Sequence, residues 1–473
     1  MGRSAGLEKD NHNLGGMFLK SVISVVLLPL VIISFSCCKK GNVVDIDEWS
    51  RIVKQDNQGL PSRLISIKDS VDFDWPDDSL LRKNYPGVET AIRRARQLVE
   101  LKWTPYANVP SCYGFYSGLE EQKGAPYSLA YMTNTQLGTQ VSIHTFMTAL
   151  QNPYSVLYTE DLRDYPYNGS TGSSIYYGTT CSNSVMYVLG IEPPYYTGMI
   201  GIIPGMKKTR EQTPESIELC DVLWKTGHIM MVYDIDRNED GAISQVCIFE
   251  TTTNSQKDTW IKNRSFNDFV SYWNRSGVVR YKYAYLDRNT DYHASVFVPL
   301  EDEIVYPFRY NYEICPTLGD RCSYLEGRDV HLAVLSDYYH EIVLYKDGIE
   351  YCSVNAERPI TTISGLPYGE YRVCLVRDET RSGYAYFEVV DAQADAKDEG
   401  KQIRISFSSN NASARYVSIC NKHGSPYNYY IFNDSDRESG AFCMNRINSN
   451  AATHYQVFFH GRYGVVATDV KHL

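Results

Sequence analysis

"TGHIMMVYDIDRNEDGAISQVCIFETT", residues 226–252, reads as two strands folded on a tight turn. Ile229, Met231, Tyr233 and Ile235 alternate onto one face, with His228, Met230 and Val232 on the other. The polar run "RNEDG" carries the Asp-Gly signal of a hairpin connection. His228 lies ten residues before Asn238, and Glu250 nine after Gly241 (238 − 228 = 10; 250 − 241 = 9). Antiparallel pairing then sets Glu250 beside His228, within one residue of register. A carboxylate against an imidazole fixes its tautomer and supports the imidazolium, the third role in a catalytic triad.

Such a base needs a nucleophile, and "YYGTTCSNSVMYVLG" (176–190) supplies one. Cys181, Val185, Val188 and Leu189 share a helical face, so a helix starts at or just before Cys181, with Thr179 or Thr180 as N-cap. A helix start stabilises a thiolate through its unpaired N–H groups and dipole, and the same groups can hold an oxyanion. The competing reading of Cys181 is a buried structural thiol. His144, mid-helix in an apolar segment, reads as core or surface rather than catalytic.

The flanking pattern places this pair in an α+β segment. Val88, Ile92, Ala95 and Val99 mark one helix, and Ile143, Phe146, Met147 and Leu150 another, while strand-like runs follow Gly205. Beyond position 300 the runs are short and alternating. "GLPYGEYRVCLV" (365–376) resembles the tyrosine corner of immunoglobulin-like sandwiches, with Tyr371 in the corner. "DAQADAKDEGKQ" (391–402) reads as a charged linker into a second small sandwich.

Bulk properties bound the function. The 473 residues carry a net charge of −10 and no long basic run, which disfavours nucleic-acid binding. "MFLKSVISVVLLPLVIISFSCCKK" (17–40) is too short and Pro-interrupted to span a membrane and reads as a signal peptide, with Met17 a candidate start. Cysteine after "SFS" resembles the lipobox of bacterial lipoproteins, giving lipidation at Cys37, with Cys38 as the alternative. That implies a lipid-anchored protein of the bacterial cell envelope, facing the periplasm or exterior. The remaining cysteines show no CxxC or Cys/His spacing, so no metal site is implied.

A Cys at a helix start, then "Gly-His" opening a strand 47 residues later (228 − 181), then a polar residue on the next strand is similar to papain-like peptidases of the NlpC and CHAP branches. "CDVLWKTGHIMMVYDI" (220–235) resembles their glycine-aspartate and glycine-histidine signature, with Cys220 in the first glycine position. Thr180 and Asn183 depart from the Asp and Gly that flank the nucleophile in NlpC-type motifs. The resemblance implies an α+β papain-like catalytic domain over 88–297, followed by two all-β sandwiches over 303–392 and 402–473. Residues 1–37 form the signal peptide and 38–87 a tether and wrapping segment.

It also implies amide hydrolysis in peptidoglycan peptides, with Cys181 attacking, His228 activating it and Glu250 orienting His228. No cofactor is implied. Tyr127 of "APYS" is similar in context to the tyrosine that completes the oxyanion hole, while Tyr177 competes on spacing. Ser182 matches the residue after the nucleophile and supports the helix start. Two other classes remain open: an acyltransferase or lipid esterase, and a catalytically inactive surface-binding lipoprotein. Oligomeric state, the bond cut and disulfide connectivity are not readable.

Overall fold

The computed structural model describes residues 87–111, 114–127, 143–159, 177–193, 195–252, 259–288, 312–422, 426–447 and 452–473. The signal peptide over 1–37, lipidation at Cys37, the tether up to residue 86 and the boundary between 297 and 303 lie outside these residues. All the described residues belong to one unit, Ile67–Leu473.

Helix α1 (Val88–Glu100) buries Val88, Ala91, Ile92, Ala95 and Leu98, a stripe at helical spacing. Its outer face carries Glu89–Arg93 and Arg96–Glu100 pairs four residues apart. Two short strand pairs follow, β1 (Lys102–Trp103) with β4 (Gln122–Lys123) and β2 (Val109–Ser111) with β3 (Gly114–Tyr116). Helices α2 (Ile143–Gln151), α3 (Val156–Thr159) and α4 (Cys181–Val188) come next. A 3₁₀ turn over Thr197–Ile202 leads into the sheet.

That sheet contains β5 (Met206–Lys208), β6 (Val222–Lys225), β7 (His228–Arg237), β8 (Ile243–Thr251), β9 (Thr259–Ser265) and β10 (Val279–Tyr283). Its order is β5-β10-β6-β7-β8-β9, with every pairing antiparallel. Alternation decides what covers each face. Ile229, Met231 and Phe249 join the core with α1 and α4, including Ile92, Val185 and Met186. Met230, Val232, Val246 and Ile248 pack instead on Phe269, Tyr272 and Trp273 of α5 (Phe266–Ser276). Ser265 caps α5 by accepting from the Asp268 N–H, and Gly277 (φ 60°) ends it in the left-handed region.

The lead into β6 is pinned by charge. Asp221 is fully buried, and its carboxylate accepts from Arg280 Nε at 2.5 Å, Arg288 Nη2 at 3.2 Å and the Glu218 N–H at 2.8 Å. Two cations and a backbone donor offset the cost of burying one carboxylate.

From Tyr312 onward the described regular elements are strands apart from one short helix, Asp434–Ser439. The first unit pairs a three-stranded sheet (Ile314–Pro316, Val330–Val334, Ile360–Ile363) with a larger one. The larger sheet includes Cys322–Leu325, Ala385–Val390, Gly369–Arg377, Glu341–Lys346 and Ile349–Asn355. Tyr371 donates its hydroxyl to the Pro367 carbonyl at 2.6 Å, closing a tyrosine corner, and its ring stacks on Phe387. This is an immunoglobulin-like β-domain. The last unit likewise faces three strands (Gln393–Asp398, Gln402–Ser408, Ala441–Asn445) against a sheet centred on Ser413–Cys420 and His454–His460.

Two expectations need correction. The stretch read as a linker contains a strand: Gln393–Asp398 pairs along Gln402–Ser408, because Ala394 and Ala396 alternate inward beneath the charges. The fold class also differs from the α+β papain-like domain expected over 88–297. The described residues are predominantly β-sheet, and their helices are short, the longest being the 13-residue α1. The helix-period signals at 88–99 and 143–150 do mark helices, but antiparallel strands dominate the architecture.

Candidate functional site

Helix α4 begins at Cys181 because Thr180 is extended (φ −103°, ψ 174°) and its side chain accepts from the Asn183 N–H. Thr180 Oγ1 also lies 3.3 Å from Ser182 Oγ, and Ser184 Oγ donates to the Cys181 carbonyl. Ser182 thus braces the helix start, buried at 2% exposure. Tyr127 lies alongside through a parallel bridge to Thr179, with the Thr179 N–H donating to the Pro126 carbonyl. Tyr177 points elsewhere. Its hydroxyl donates to the Leu318 carbonyl, in the first β-domain.

Gly227, with φ of +77°, makes the sharp turn from β6 into β7 and delivers His228 at the strand start. His228 Nε2 lies 2.9 Å from Glu250 Oε2. With Nε2 so engaged, Nδ1 is the ring nitrogen left for the Cys181 thiol, whose ionisation His228 favours. Burial pushes the Cys181 thiol up, but the His228 hydrogen bond and charge, the Ile229 N–H and the Thr197 hydroxyl bring it below the ordinary thiol value. Burial alone pulls His228 down, yet bonds to Cys181 and Glu250 raise it to about 9. For Glu250, burial raises the carboxyl, but the His228 bond, with Arg264 and Lys262 nearby, holds it below its usual range. Together these shifts favour a thiolate–imidazolium pair beside a carboxylate.

Cys181 is 6% exposed. Thr197 and Trp224, which sequence reading missed, complete its surroundings. Thr197 Oγ1 stands 3.7 Å from Sγ, and the Trp224 indole N–H donates to the Thr197 carbonyl at 3.0 Å. Thr197 sits in no motif, and Trp224, inside the stretch 220–235, is not one of its signature residues, so no sequence signal marks either. His144 bonds Asp320 at 2.9 Å, tying α2 to the first β-domain. Among the described residues, no group of three or more His, Cys, Asp or Glu side chains is placed to hold a metal ion. Each described cysteine is a free thiol. Among the described residues no helix is long and apolar enough to cross a membrane.

No protein-family model matches the chain, and no curated protein matches it. Solved structures similar to it include native alpha-2-macroglobulin from Escherichia coli spanning domains NIE-MG1, at 12% identity and a TM-score of 0.16, covering 33% of this chain and 96% of that one. The CD2-binding domain of CD58 is similar at 9% identity and a TM-score of 0.17, covering 32% and 95%. The fibronectin(III)-like modules of Clostridium thermocellum CbhA are similar at 13% identity and a TM-score of 0.16, covering 32% and 85%. The resemblance to papain-like peptidases of the NlpC and CHAP branches is corrected, because the described residues are mostly β-sheet with few, short helices. Three short motifs are too few to define a family, since nucleophile–histidine–carboxylate constellations recur on unrelated folds.

Proposed function

We propose that this protein is an extracytoplasmic cysteine hydrolase that cleaves amide bonds, with peptidoglycan peptides as its substrate class. The observation that carries the reading is the 2.9 Å contact of His228 with Glu250, together with the capped helix start at Cys181 and the lowering of its thiol by His228. Envelope location and a lipid anchor at Cys37 belong to the same proposal and rest on the leader-like sequence.

The chemistry follows from the pair's charge state. The Cys181 thiolate adds to the amide carbonyl carbon, forming a C–S bond, and the first N–H groups of α4 face the developing oxyanion. His228 imidazolium gives its proton to the nitrogen as the C–N bond breaks, and the amine departs. Neutral His228 then takes a proton from water, whose oxygen attacks the thioester. Breakage of the C–S bond releases the acid and restores the thiolate and imidazolium. Glu250 remains ionised throughout and holds the ring.

The test is mass spectrometry of purified muropeptides incubated with the protein and with its Cys181→Ala variant. New amine and carboxyl termini made only by the wild type support the proposal. Intact muropeptides, with hydrolysis confined to lipid or thioester probes, would replace amidase by esterase or acyl-transfer chemistry.

A further inference from the structure

We propose that Thr197 is a positioning residue for the Cys181 thiolate, holding Sγ from the 3₁₀ turn while His228 holds it from the sheet. The proposal rests on the thiolate reading above and extends it to a residue outside the triad.

The contacts run from the thiol to the sheet. Thr197 Oγ1 is 3.7 Å from Sγ, the reach of an O–H···S bond. A thiolate has only lone pairs to offer, so the hydroxyl must donate. The Thr197 carbonyl is in turn held by the Trp224 indole N–H at 3.0 Å. Trp224 pairs across β6–β7 with Ile229, whose N–H is among the groups that lower the Cys181 thiol. Thr197 is therefore fixed at both ends, its hydroxyl on the α4 nucleophile and its backbone on the sheet that carries the histidine. Its β-branched side chain has few χ1 options, which restricts where that hydroxyl can go. Hydrogen bonds to an ionised acceptor are about twice as strong as neutral ones, and this one exists in full only when Sγ is ionised.

The test follows the rate of Cys181 alkylation against pH in the full chain, alongside kcat and KM. Thr197→Val keeps the shape and removes the hydroxyl. It should move the alkylation midpoint upward and lower kcat roughly tenfold while KM stays within about twofold. Thr197→Ser should restore most of both, and Trp224→Phe, which keeps the ring but loses the N–H, should give a smaller shift in the same direction. A Thr197→Val curve superimposed on a wild-type curve that is itself depressed overturns the positioning role and leaves the hydrolase reading standing. A wild-type curve like that of an ordinary thiol overturns both.

Discussion

Glu250 meets His228 on the diagonal of the β7–β8 hairpin, not straight across it. Met231 pairs with Phe249, so the ladder sets Met230 against Glu250 and carries His228 on toward Thr252. The 2.9 Å contact is made because an offset of two keeps both side chains on one face of the sheet. An offset of one would have sent the carboxylate through to the other side.

That diagonal makes the carboxylate replaceable in part. Glu250→Gln keeps an oxygen within reach of Nε2 but removes the charge that helps hold His228 at about 9. We expect kcat/KM to fall roughly tenfold and the alkaline limb of the pH profile to move below 9. Glu250→Ala should cost more. Equal, negligible losses in both variants would remove Glu250 from the site.

The pH window follows from the directions of the two shifts. Cys181 is depressed, so the thiolate is present above that lowered value and is lost as pH falls through it. His228 is raised, so its proton is fully held below about 6.5 and is lost as pH rises through about 9. Turnover should trace a bell whose alkaline limb falls near 9, and alkylation of Cys181 should persist below the ordinary thiol range. Cys181→Ala should abolish turnover, and His228→Ala should slow alkylation at neutral pH.

Tyr177 should behave as a structural residue. Its hydroxyl serves the Leu318 carbonyl and its ring packs near Phe146. Tyr177→Phe is expected to cost about 1–3 kcal/mol in chemical denaturation, because a buried acceptor loses its donor, while kcat remains within twofold. A large fall in kcat with unchanged stability would return Tyr177 to the oxyanion hole.

Asp221→Ala leaves Arg280, itself 3% exposed, without its buried partner. We expect a loss of about 3–5 kcal/mol, read as a lower urea midpoint. A change under 1 kcal/mol would show that the arginine escapes to solvent.

Shortening the chain after residue 288 should destabilise what is left. Tyr416, Tyr429, Phe458 and Val465 of the last unit belong to the same core as Val185 and Met231. Glu192 also binds Arg415 at 2.9 Å and His460 at 2.5 Å. The shortened protein should melt well below the full chain, and equal melting temperatures would show that this shared core is dispensable.

How much of this was legible depended on whether the signal was local. The cap at Thr180, the helix start at Cys181 and the strand start at His228 are decided by neighbouring residues and were readable. The hairpin register was read less well because the turn holds three residues, not two. Asn238 closes it by donating to the Ala242 carbonyl, and Gly241 takes the left-handed φ of +81°. Thr197 and Trp224 reach the thiol only through tertiary folding, and no spacing announces them. The linker failed for a different reason: Asp395, Lys397 and the turn charges mask a two-residue alternation of alanines. The family resemblance failed because a few catalytic side chains say little about the scaffold that carries them.

The described thiols differ sharply in how they answer an electrophile. Burial pushes Cys220 and Cys420 up to about 12 and Cys247 to about 11, and it raises Cys315, Cys322, Cys352 and Cys374 as well. Only Cys181 moves the other way, and Cys443 is the exposed competitor. With Cys443 replaced by Ser, Cys181 should be the first of the described thiols to take up a slow reagent at mildly acidic pH. Under the proposed chemistry, that uptake would report the state of Cys181 before any substrate is known.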